Sequence, residues 1–125
     1  MKKRRKWIPT KHNELKLQAI WTINHITDPE ERERLGFEES SARGAWLRDV
    51  LMPVFDQYCD AYVKWSMKPS RTSYDILRFY KAENEFKAVY KELYVKYIKP
   101  NPAVTNVDLI SMGFPERIKR RKKPN

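Results

Sequence analysis

The stretch Thr72 to Lys99, TSYDILRFYKAENEFKAVYKELYVKYIK, decides the fold. Within it Phe79, Ala82, Phe86, Val89, Tyr90, Leu93, Tyr94 and Tyr97 recur at spacings of three and four, which gathers them on one stripe of an α-helix and scatters them over both faces of a strand. Thr72 and Asp75 have capping-box spacing, in which the threonine oxygen accepts from an amide three residues on and the acid reaches back to the start. Pro100 and Pro102 close the segment, because proline brings no amide hydrogen to the next turn. Glu83 with Lys87 and Glu92 with Lys96 are acid-before-base pairs one turn apart, expected on the solvent face.

The same periodicity runs through the flanking segments. From Ala45 to Met67, Leu47, Leu51, Val54, Tyr58, Ala61, Tyr62 and Trp65 share a face, with Asp49, Asp56, Asp60 and Lys64 opposite. Pro53 should bend or restart this helix. From Lys11 to Thr27, Leu15, Ala19, Ile23 and Ile26 form the apolar stripe, while Gln18, Thr22 and His25 form a polar one. Leu17 and Trp21 make a second apolar pair on another flank, which reads as a widening of the core contact, the alternative being an exposed docking spot. Asp28, Pro29, Glu30 and Glu31 signal a short helix that Gly36 stops, followed by a Ser40, Ser41, Gly44 loop. Thr105 and Asp108 cap a last helix through Met112, closed by Gly113 and Pro115.

Three long helical segments with short connections and no strand pattern predict an all-α protein, an antiparallel three- or four-helix bundle with short connecting helices and basic terminal tails. The expected divisions are a basic arm at residues 1–7, the bundle at 8–115 and a basic tail at 116–125. The tyrosines of the inner stripes are expected in the core with their hydroxyls at its rim.

Charge divides along the same lines. The 125 residues carry 26 Lys and Arg against 16 Asp and Glu, a net charge of +10. Met1 to Lys6 holds 5 basic residues, Glu116 to Asn125 holds 6 basic and 1 acidic, and Trp7 to Pro115 balances 15 against 15. The whole excess therefore belongs to the two ends.

Composition excludes several classes. Gly36, Gly44 and Gly113 are the only glycines, so neither a dinucleotide fingerprint nor a P-loop can be written. Cys59 is the sole cysteine, which removes an intrachain disulfide and a thiolate zinc cluster and fits a reducing compartment. The N-terminal basic run leads into Trp7, Ile8, Pro9 and Thr10 and not into an apolar run, so a soluble, cytoplasmic protein without an integral membrane segment is expected. His12 and His25 have no metal-binding spacing and are expected as surface histidines, and Cys59 as a buried, inert thiol. Asp56 with Asp60, and Glu38 with Glu39, read as solvated charge. No catalytic constellation, metal set or cofactor motif emerges, and a non-enzymatic protein is expected.

The candidate site residues are the cationic arms: Lys2, Lys3, Arg4, Arg5, Lys6 with Trp7, and Lys119, Arg120, Arg121, Lys122, Lys123. Such clusters neutralise phosphates or carboxylates, and Trp7 offers a ring for stacking on an unpaired base. The expected function is a helical interaction or scaffold module anchored to an acidic protein partner through its basic termini; the alternative is nonspecific nucleic-acid binding through the same arms.

From Phe79 onward, the run AENEFKAVYKELYVKYIKPNPAVTNVDLISMGFPERI resembles the helical N-terminal domain of an uncharacterised bacterial family. The match is carried by Val104, Thr105, Asp108, Leu109, Met112, Gly113, Pro115 and Arg117, with Trp46, Trp65, Arg71 and Thr72 at weaker positions upstream. In that family an immunoglobulin-like β domain commonly follows the bundle, whereas this sequence ends at Asn125. The resemblance implies the bundle and brings no catalytic residue with it.

Overall fold

The computed structural model describes residues 7–117, and every regular element among them is helical. Helix α1 (His12–Thr27) leads into a one-turn helix α2 (Pro29–Arg32), started as expected by Asp28, whose carboxylate accepts from the Glu30 amide at 2.9 Å. Then come α3 (Ala42–Trp46), α4 (Met52–Ser66), α5 (Ser73–Glu92) and α6 (Asn106–Met112). A π-helical turn at Leu47–Leu51 joins α3 to α4, so the helix restarts with Pro53 in its first turn, where a missing amide costs no hydrogen bond. A second π turn at Leu93–Ile98 extends α5, and the Lys99 amide donates to the Tyr94 carbonyl at 2.7 Å.

Contacts between helices fix their directions. His12 meets Trp65 and Lys16 lies over Tyr62, so α1 and α4 run antiparallel. His12 meets Glu83 and Thr22 meets Tyr90, so α1 and α5 run the same way. Thr22 meets the Met112 carbonyl and His25 meets Asp108, so α6 returns antiparallel to α1. The result is an up-down-up-down arrangement whose fourth helix is less than half the length of the others.

Both capping boxes form. Thr72 and Asp75 exchange hydrogen bonds at 3.0 and 3.2 Å, and Thr105 and Asp108 at 2.8 and 3.2 Å. Gly113 ends α6 in the left-handed region at φ +88°, and a Cβ there would press on the Gln18 side chain at 2.8 Å. Two requirements thus converge on glycine at one position.

The core is an aromatic ladder along α5. Trp65 stacks on Phe79 at 4.3 Å, Tyr58 on Phe86 at 4.8 Å and Phe86 on Tyr90 at 5.2 Å, and Phe114 joins the end of the series. Leu15, Ile26, Leu35, Phe37, Leu51, Leu93 and Ile98 fill the space around it. Asn101, also buried, donates to the Leu35 carbonyl at 2.9 Å and so ties the two loop regions together.

Four expectations change. First, the Gln18, Thr22 and His25 stripe is covered and not solvated. Gln18 donates to the Tyr90 hydroxyl at 3.1 Å, and the Thr22 hydroxyl lies 2.7 Å from Tyr90 and 2.8 Å from the Met112 carbonyl. A projection along one helix cannot show that α6 lies on its polar side. Second, the Tyr90 and Tyr58 hydroxyls lie inside the core and not at its rim; Tyr90 is satisfied by this cluster, while Tyr58 has no hydrogen-bond partner among the described residues. Third, Glu83 does pair with Lys87, at 3.4 Å, but as a buried carboxylate, because His12 of α1 reaches over it with Nδ1 2.7 Å from its oxygen. His12 and His25 are therefore both bonded to carboxylates of other helices and are not free surface groups. Fourth, Leu17 and Trp21 do not widen the core: they are 46% and 47% exposed and line an open groove, because α6 stops at Met112, opposite Thr22, and only the chain around Gly113 to Glu116 continues past that turn.

Candidate functional site

Lys2 to Lys6 and Lys119 to Lys123 lie outside the described residues, but the points from which they continue are well placed. Trp7, expected as the last residue of a free arm, packs on the bundle. Its indole stacks on Tyr94 at 4.4 Å and meets Tyr90 and Phe114 at 5.9 Å each, and its carbonyl accepts from Gln18 Nε2 at 2.8 Å. One face of the ring expected to stack on a nucleic-acid base is taken by the protein's own tyrosine.

At the other end Arg117, expected in the tail, also belongs to the body. Its guanidinium donates to the carbonyls of Ile98, Lys99, Asn101 and Val104, and its amide donates to Asn106 Oδ1 at 2.9 Å. Carbonyls left over at the end of a helix carry partial negative charge, and a planar five-donor cation is suited to collect several of them. The packed body therefore includes both Trp7 and Arg117. Burial raises the Tyr94 phenol pKa and the Arg117 charge draws it back down, while Trp7 stacks on the same ring. Trp7 also meets Phe114, three residues before Arg117, so Trp7 and Arg117, far apart in sequence, lie at the same end of the bundle.

Beside these points is an open groove of about 470 Å³, lined by Pro9, Leu17, Trp21, Ile110, Gly113 and Pro115 among others. Ile110, 57% exposed, faces the groove from α6, opposite Leu17 and Trp21 on α1. Glu14 and Glu116 also stand on its wall. Leu17 and Trp21 were legible as a pair from their spacing; Ile110 gave no signal in sequence, because a lone exposed isoleucine on a short helix is unremarkable until it lies across from them.

A second polar cluster joins α1, α2 and α6. Asp108 is buried and accepts from His25 Nε2 at 2.9 Å, from the Thr105 amide at 2.8 Å and from both terminal nitrogens of Arg34, which also bonds Glu31. Burial disfavours the Asp108 carboxylate, but the Arg34 guanidinium, Thr105 and His25 outweigh it and hold the acid well below the usual aspartate range. Donor atoms of His25, Glu31 and Asp108 come within 4.8 Å of one another, a spacing that would suit a metal ion. Here the chain supplies the cation itself, as Arg34, so the cluster reads as a structural clasp.

Asp56 and Asp60 are exposed on α4 and line neither of the two grooves found among the described residues. Cys59 is half-buried, less enclosed than expected, and burial pushes its thiol pKa up, away from a reactive thiolate. Among the described residues no helix is long and apolar enough to cross a membrane. Comparison of the chain with family models, with curated proteins and with solved structures gives no match.

Replacing Trp7 with Ala is expected to destabilise the protein by about 2 kcal/mol, since it removes a partly buried indole with an aromatic partner. A thermal melt checks this. A variant melting together with the wild type would return Trp7 to the arm.

Proposed function

We propose that the protein is a non-enzymatic interaction module that holds an acidic protein partner through its two basic segments, which continue from the same end of the bundle. The observation that supports this is that Trp7 packs on Tyr94 and on Phe114, three residues before Arg117, so both segments continue from one end of the bundle. Two cationic stretches of sequence thus continue from one end of an otherwise neutral body, so that one partner surface can engage both, and linked contacts reinforce each other through effective concentration. An acidic protein fits better than nucleic acid because Trp7, the aromatic beside the N-terminal basic run, is engaged in stacking on the protein's own Tyr94.

The test is a pull-down from the native host at about 150 mM salt, with and without nuclease. Acidic proteins should remain bound after nuclease and be lost when residues 1–6 and 118–125 are deleted. Capture that disappears on nuclease treatment would assign the arms to nucleic acid.

A further inference from the structure

We infer that the groove lined by Leu17, Trp21 and Ile110 is a recognition site for an arginine side chain that a partner peptide presents beside apolar residues. The site uses no part of the basic ends and adds a contact of opposite sign to the acidic-partner reading. Three hydrogen-bond acceptors line it. Glu14 and Glu116 are exposed, and the carboxylate of neither enters an ion pair or a hydrogen bond among the described residues. The third is Gln18, 6% exposed. Its Nε2 donates to the Trp7 carbonyl at 2.8 Å and to the Tyr90 hydroxyl at 3.1 Å, which fixes the orientation of the amide and leaves Oε1 without a partner among the described residues. The Tyr58 hydroxyl is the only sealed and unpartnered side-chain polar atom among those residues, so Gln18 Oε1 opens to the groove. No described residue of the lining is cationic.

Acceptors with no cation of their own call for a donor, and two carboxylates favour a positively charged one. Arginine fits better than lysine. Its planar guanidinium carries five N–H donors for separated acceptors and lies flat on an aromatic ring, and Trp21 presents such a ring at the groove, 47% exposed. At about 470 Å³ the groove has room beyond one guanidinium, and Leu17 and Ile110 stand opposite each other across it, so apolar side chains belong beside the cation. Free arginine would bring its own carboxylate and no apolar neighbour. Nucleic acid or an acidic segment would meet two like charges. A peptide segment with arginine between apolar residues meets the acceptors, the ring and the apolar walls together.

Short peptides capped at both ends provide the probe, alike except at the centre, where arginine, citrulline or glutamate stands between leucines. Binding to the full chain at about 150 mM salt is followed through its four tryptophan indole N–H signals. The arginine peptide should shift the Trp21 signal, leave those of Trp46 and Trp65 in place, and bind about tenfold tighter than the uncharged citrulline peptide. Replacing both acids, Glu14→Gln with Glu116→Gln, should erase that preference; both are exposed, so the melt should not move. Equal binding of the arginine and citrulline peptides, a preference that survives the double replacement, or a Trp21 signal unmoved at about 1 mM peptide would each overturn the site. A glutamate peptide that alone moves Trp21 would give the groove to an acidic partner instead. A Trp21 signal that moves on dilution of the protein would give it to a second copy, and one that moves when Arg4, Arg5, Arg120 and Arg121 are replaced by glutamine would give it to the chain's own ends.

Discussion

Truncating Phe86 to Ala is expected to cost about 3–5 kcal/mol and to lower the melting midpoint by roughly 10–20 °C. Phe86 is fully buried at the middle of the aromatic ladder, with Tyr58 on one side at 4.8 Å and Tyr90 on the other at 5.2 Å. Its removal takes away transfer energy and two ring contacts and leaves a cavity between α4 and α5 that rigid neighbours cannot close. A loss this size is a large share of the ~5–15 kcal/mol that ordinarily separates folded from unfolded chains. A variant melting within a few degrees of wild type would mean that the helix register is wrong.

The second large effect is at Asp108. Asp108→Ala should cost about 3 kcal/mol, because it strips the α6 capping box of its acid and leaves His25 and Arg34 without the buried carboxylate that they share. The pH dependence has a defined sign. A carboxylate held below its ordinary value stabilises the fold fully above about pH 4 and loses that contribution as pH falls through the depressed folded value. The wild type should therefore lose stability on acidification more steeply than Asp108→Asn, with the two curves running parallel above about pH 5. Melts of both proteins from acid to neutral pH check this, and parallel curves throughout the acid range would show that Asp108 is not paired as described.

Much of the fold was legible because helix signals here are local and repeated. The caps at Thr72 and Thr105, the stop at Gly113 and the stripe from Phe79 to Leu93 are each written within a few residues. The polar contacts were not legible, because they depend on which helix lies over which. Nothing near Glu83 announces His12, and nothing near Asp108 announces Arg34; both partners lie some seventy residues away in sequence. The same limit applies to the site. Its charge could be counted from the sequence, whereas the packing of Trp7 on Tyr94 and Phe114, and the groove between α1 and the end of α6, arise only once the helices are packed.

The arms and the core should be separable, and one pair of measurements on one variant tests this most directly. A chain lacking residues 1–6 and 118–125 but keeping Trp7 and Arg117 is compared with the full chain, by melt and by affinity for poly-glutamate between about 50 and 200 mM salt. The deletion should abolish binding while leaving the melting midpoint within about 2 °C, and the full chain should bind more weakly as salt rises. Binding that survives the deletion, or a melt that collapses with it, would contradict the claim that these basic ends, on a bundle that does not need them, are what holds the partner.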